Sequence, residues 1–113
     1  MRILLVYCHP CAESFTAAVR DTALATLSRR GHEVHLLDLY AEGFDPVLSA
    51  EDRTTYHDIA INQQRIGTYV QRLQQADGLV LCHPVWNFGW PAILKGYFDR
   101  IFLPDVSFRL TDG

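Results

Sequence analysis

Ile3-Leu4-Leu5-Val6-Tyr7 runs directly into Cys8-His9-Pro10-Cys11-Ala12-Glu13-Ser14-Phe15-Thr16, an apolar stretch that ends in a hydroxyl-bearing loop. A short run, apolar throughout and partly β-branched, fits a strand buried on both faces, so residues 2–8 read as a parallel strand. Ser14 stands where a helix N-cap belongs. Phe15, Ala18, Val19, Ala23 and Leu27 then recur at helical spacing and define one apolar stripe, expected to face the core. Arg29 and Arg30 complement the carboxyl end of the helix dipole, and Gly31 ends the helix. Val34, Leu36 and Leu37 mark a second strand over 33–39. A strand, a crossover helix and a strand almost always form a parallel, right-handed unit.

The same design recurs downstream. Leu79-Val80-Leu81-Cys82 reads as a third strand over 79–83, and His83-Pro84-Val85-Trp86-Asn87-Phe88-Gly89-Trp90-Pro91 as the loop after it. Pro91 suits the first turn of a helix whose buried face is Ile93, Leu94, Tyr97, Phe98 and Ile101, with Pro104 as its stop. Residues 107–113 show no clear period. Between the second and third strands, Asp45-Pro46 marks a turn, and Ser49 with Asp52 fits a capping box opening a short helix. Ile66, Tyr69, Val70 and Leu73 give a longer helix ending near Asp77-Gly78. The resulting βαβαβα order is α/β, with helices on both faces of a parallel sheet. If strand three pairs with strand one, the strand order is 2-1-3. Ligands then bind at the carboxyl ends of those two strands, and the two loops become the walls of one crevice.

Composition narrows the classes. The 113 residues suit one domain, and 49% hydrophobic with 20% charged residues is ordinary for a globular chain. A net charge of −3, with both signs interspersed, argues against nucleic acid or an anionic membrane as partner. No apolar run approaches the ~18 residues of a membrane span, and the opening run is too brief for a signal peptide. Three cysteines without an export signal make a disulfide framework improbable and a cytoplasmic setting the expectation.

Each loop admits a chemical and a plain structural reading. Ser14 and Thr16 flank a helix start, where free N–H groups favour an anion, and His9 adds a donor; the plain reading is that Ser14 only caps the helix. Trp86, Phe88 and Trp90 lie within five residues and would expose much apolar area unless a flat ring, a partner or the core covers them. Gly89 would let the backbone approach closely. Cys8-x-x-Cys11 after a strand resembles a dithiol redox arrangement, and Cys82-His83 nearby raises a zinc site. Against both, Cys8 belongs to the buried strand and free cysteine is a common small hydrophobe. His32, His35 and His57 read as solvated.

Taken together, His9-Pro10-x-x-x-Ser14-Phe15-Thr16, Asp38-Leu39-Tyr40, Phe44-Asp45-Pro46 and the stretch from Pro84 through Trp86-Asn87-Phe88-Gly89 to Phe102 resemble the NAD(P)H:quinone oxidoreductases of flavodoxin-like fold. Bacterial modulators of drug activity and ancillary subunits of potassium efflux systems are among their relatives. The resemblance implies order 2-1-3, an FAD or FMN cofactor, NAD(P)H as donor, a quinone acceptor and a homodimer. It implies that His9, Ser14, Phe15 and Thr16 contact the cofactor's phosphates. Pro84, Val85, Trp86, Asn87 and Phe88 would line the flavin ring. It assigns no catalytic side chain here. Thr16 stands where some members have Asn. Members also continue with further strands, so residues 1–113 are expected to be the N-terminal part of a single domain, with later strands missing. Two other functions stay open at this point: a non-catalytic flavin-binding accessory subunit, and a thiol oxidoreductase using Cys8 and Cys11.

Overall fold

The structure, a computed structural model, describes residues 1–103 and Val106, apart from the side chains at 59, 62, 63 and 65. The strands are β1 (Arg2–Tyr7), β2 (Glu33–Asp38) and β3 (Gly78–Cys82). They form one parallel sheet in the order β2-β1-β3. The register runs from Arg2 opposite Glu33 to Tyr7 opposite Asp38 on one side. On the other it runs from Ile3 opposite Gly78 to Tyr7 opposite Cys82. β1 is central, and Ile3 to Cys8 are all buried, which is why this stretch is apolar at every position. Each strand ends one residue before the expected limit, yet the ladder reaches further: Leu39 N donates to Tyr7 O at 3.0 Å and Cys8 N to Cys82 O at 3.1 Å.

Alternation along β1 divides the core in two. Leu4, Val6 and Cys8 point to the layer that holds α3 (Ile59–Gln74) and α4 (Ala92–Ile101), where Val70, Leu94, Tyr97 and Ile101 are buried. Leu5 and Tyr7 point to the opposite layer, where α1 (Phe15–Arg29) contributes Ala17 and Ala23. Helices therefore cover both faces, as the period-2 and period-3.6 patterns require.

The local signals act where the sequence places them. Ser14 Oγ accepts from Ala17 N at 3.0 Å, capping α1. Gly31 takes φ +83°, the left-handed conformation that ends the helix. Ser49 and Asp52 form the complete capping box of α2 (Ala50–Thr54). Asp58 caps α3, which kinks at Ile66 (φ −129°, ψ 18°). Pro91 sits at the cap of α4, one position before the first turn. The expected stop at Pro104 and the stretch 107–113 lie outside the described residues.

One expectation is corrected. Of the stripe Phe15, Ala18, Val19, Ala23 and Leu27, Ala23 packs against the core and Leu27 is half-buried, whereas Phe15, Ala18 and Val19 are exposed. Thr16 and Ala17 are the buried positions of α1, while Phe15 is 85% and Val19 43% exposed. The helix contacts both β2 and β3, and much of its apolar stripe lies beside the edge at β3, where the described sheet stops.

The Phe44-Asp45-Pro46 motif clamps α4 to the sheet. Phe44 is buried and meets the rings of Tyr69 and Tyr97 edge-on at 5.0 and 5.8 Å. Arg100 Nη1 donates to Asp45 O at 2.7 Å. Its Nε lies 3.3 Å from Asp52 Oδ2 but has no aligned hydrogen-bond acceptor, so that contact is a charge pair. Pro46 lies so close to Gly96 that a methyl group there would overlap its ring and carbonyl. Gly96→Ala is therefore expected to destabilise the fold by about 1–3 kcal/mol, the usual cost of overpacking, measured by denaturant unfolding.

Candidate functional site

Because β1 and β3 are neighbours, the β1–α1 and β3–α4 loops emerge side by side at the carboxyl end of the sheet. A cleft of about 570 Å³ opens between them. Of the sequence-predicted residues, His9, Phe15, Thr16, Pro84 and Val85 line it. Trp86 joins the two walls, its ring 5.7 Å from that of His9 in an edge-on contact. Ser14 caps the helix beside the cleft, and Asn87 and Phe88 form the exposed tip of the second loop. Val19, Ala23, Val80, Leu81, Cys82 and His83 also line the cleft and were not among the predicted site residues. In the sequence this lining of α1 and β3 shows only as apolar periodicity, which marks a buried face and does not distinguish core from cleft wall.

The first wall offers an anion uncharged donors; Glu13 belongs to the same loop but does not line the cleft. Ser14 Oγ is the acceptor for Ala17 N, which leaves its hydroxyl proton free to donate. The N–H groups of Phe15 and Thr16, in the first turn, have no acceptor among the described residues, and the helix dipole adds to their pull. Cys11 N donates to His9 Nδ1 at 2.9 Å. Nδ1 is thus the acceptor of the neutral ring, and Nε2 carries the hydrogen that can meet a phosphate oxygen.

The second wall is a tight hairpin. Trp86 and Gly89 exchange N–H···O bonds, both 3.1 Å, around Asn87 (φ 52°) and Phe88 (φ 64°). Two consecutive positive φ values define a type I′ turn, which favours Asn first and Gly second. Phe in the second position is strained, and its side chain is fully exposed. The three aromatics therefore differ in role. Trp86 contacts His9, and Phe88 stands free at the tip. Trp90 stacks on Phe98 at 4.7 Å, and Phe98 lies tilted against Phe102 at 4.3 Å, so Trp90 is tied to α4. Gly89 pairs with Trp86, and a side chain there would meet no other part of the described chain.

Residues 1–113 match the protein family described by its flavodoxin-like fold. The chain belongs to the flavodoxin-like fold family. NAD(P)H dehydrogenase (quinone) 1 of Cavia porcellus is 34% identical over 89% of this chain and 42% of its own. Among solved structures, the Smu.1420 protein of Streptococcus mutans is 40% identical, with a TM-score of 0.86 over 96% of this chain and 57% of its own. An NAD(P)H:quinone oxidoreductase of Methanothermobacter marburgensis is 30% identical, with a TM-score of 0.81 over 91% of this chain and 53% of its own. The chain spans about half the length of the curated relatives it matches.

Within this flavodoxin-like frame the cysteines separate. Cys8 faces the α3/α4 layer and Cys82 the α1 layer, where its Sγ donates to Thr16 O at 3.5 Å. Only Cys11 is exposed. Burial, with smaller contributions from Cys82 and Asp38, pushes the Cys8 thiol up from 9.0 to about 12, which works against the thiolate that dithiol exchange needs. The opposed orientations also keep Cys8 and Cys82 from converging on one zinc ion.

The folded state binds the Cys8 proton more tightly than the unfolded chain. Its stabilising contribution is complete below pH 9 and is lost as pH rises toward 12. The melting temperature should fall across that window, less steeply in Cys8→Ala. Buried Tyr97, raised from 10.0 to about 12, contributes to the remaining slope. At the hairpin tip, Phe88→Gly should stabilise the fold by about 1 kcal/mol in denaturant unfolding and Phe88→Val should destabilise it, because only glycine occupies φ 64° without strain.

Proposed function

We propose that the chain carries the cofactor-binding half of a flavin-dependent NAD(P)H:quinone oxidoreductase. The observation that carries this reading is the His9–Trp86 contact, which joins an anion-favouring helix start to an aromatic hairpin across one cleft. The residues present fit a flavin nucleotide. Neutral donors converge where a phosphate would lie, and flat apolar surface stands next to them. Ser14 Oγ–H, His9 Nε2–H and the first-turn N–H groups of Phe15 and Thr16 would hold the phosphate. Pro84, Val85 and Trp86 would fix the ring, with Asn87 and Phe88 closing over it from the tip.

When bound, the flavin supplies the two-electron chemistry that connects a nicotinamide donor with a quinone acceptor. The protein's own task is orientation. The hairpin is held by its reciprocal bonds and by Trp90 on α4, so Trp86 is presented on a rigid support. Relatives named as NAD(P)H dehydrogenases and quinone reductases support the choice of donor and acceptor. FAD and FMN both suit the phosphate wall. Assembly as a homodimer and a cytoplasmic setting rest on the family resemblance; for its part, the structure has no described helix long and apolar enough to cross a membrane.

The chain, unfolded and refolded with FAD or FMN, is expected to retain the visible absorption of bound flavin, and NADH or NADPH to bleach it. Trp86→Ala should weaken binding about tenfold, the equivalent of one lost aromatic contact. Ser14→Ala should weaken it too and lower stability by about 1 kcal/mol through the lost cap. Unchanged affinity in both variants would remove this site from consideration. Binding without bleaching would favour an accessory flavin-binding role.

A further inference from the structure

Cys82 joins the two walls of the cleft. It ends β3, and its carbonyl accepts from Cys8 N at 3.1 Å, where the first loop begins. The second wall starts at the next residue. Its side chain lies in the α1 layer, and Sγ donates to Thr16 O at 3.5 Å, in the first turn of the helix. Thr16 O belongs to the peptide unit whose N–H is that of Ala17, and this N–H donates to Ser14 Oγ at 3.0 Å.

The donors therefore run in series. The Cys82 thiol donates to one end of a peptide unit. The other end of that unit donates to the Ser14 hydroxyl, which keeps its own proton for a ligand. Hydrogen bonds in series polarise one another. A carbonyl that accepts a bond makes the N–H of the same peptide a better donor. A hydroxyl that accepts a bond donates more strongly in turn.

The surroundings suit this arrangement. A carbonyl oxygen has two lone pairs; the helical ladder uses one at Thr16 O, and the thiol takes the other. Thr16 and Cys82 are both buried, so water competes little for the bond. Burial pushes the Cys82 thiol up, against a smaller opposing pull from Arg20, which keeps the sulfur protonated and able to donate. Cys82 also lines the cleft, whereas Cys8 and Cys11 do not.

We propose that Cys82 is a positioning residue for the anion held at the first wall: its thiol anchors and polarises a hydrogen-bond relay that ends on the Ser14 hydroxyl. The inference rests on the flavin reading of the cleft for its ligand, and not for its geometry. FMN should bind Cys82→Ala about threefold more weakly than the unaltered chain, the size expected of one weak hydrogen bond. Riboflavin, which has the ring and no phosphate, should bind both equally. In Ser14→Ala, adding Cys82→Ala should cost no further FMN affinity, because the relay is already cut before the ligand. Loosened packing would instead weaken riboflavin as well and add to the Ser14→Ala loss.

The relay is also read without flavin. In the Cys8→Ala/Cys11→Ala chain Cys82 carries the sole thiol. Its infrared S–H stretch should move to higher frequency when Ser14→Ala is added, as the bond to Thr16 O weakens. Unchanged FMN affinity in Cys82→Ala, equal losses for FMN and riboflavin, additive losses in the double variant, or an S–H band indifferent to Ser14→Ala would each overturn the proposal. An unaltered chain that binds no FMN would overturn the flavin reading instead, and the S–H band would then decide the relay alone. The same band decides if Cys82→Ala fails to fold.

Discussion

The parallel pairing of β1 with β3 is the constraint on which the rest of the molecule depends. Parallel strands end on the same side of a sheet, so the pairing brings two loops separated by some seventy residues to a single mouth. The ladder extends to Cys8 N and Cys82 O, which holds the loop roots in register right up to the cleft. The same pairing sends Cys8 to one layer and Cys82 to the other. Among the described residues it also leaves β3 as an outer strand. The cleft and the separation of Cys8 from Cys82 both follow from one hydrogen-bonded ladder.

The two walls of the cleft are rigid for different reasons. The first rests on a capped helix start, where Ser14 satisfies one backbone donor and leaves others pointing outward. The second rests on a two-residue hairpin whose tip is strained and whose base is pinned by Trp90 against α4. Helix α4 is itself fixed by the Phe44-Asp45-Pro46 clamp at Gly96 and Arg100. A motif remote from the cleft thus positions it through one helix. Strain retained at Phe88 and a large apolar side chain left in solvent are the features that packing alone would have removed.

The sheet's asymmetry complements that picture. Arg72 links α3, the β2 edge and Glu42, and closes one side of the molecule with charge. On the other side, among the described residues, β3 carries no such charge, and an apolar trough lies beside it.

Much of this was legible in the amino-acid order. Apolar runs, the Ser14 and Ser49 caps, Gly31 and the helical periodicities specify the elements, because each is a local preference acting within a few residues. The parallel topology follows from crossover handedness, which is nearly universal. Which loops meet was legible only once strand order was chosen. Tertiary structure alone decided three things. It left Phe15, Ala18 and Val19 of the α1 stripe exposed, since periodicity locates an apolar face but not what that face meets. It gave Trp86, Phe88 and Trp90 three different roles, since the hairpin's positive φ values and the stacking on Phe98 arise from how the loop closes on α4. And it distinguished the two sheet edges, because Arg72 reaches the Leu36 carbonyl only when chain segments thirty-six residues apart are folded together.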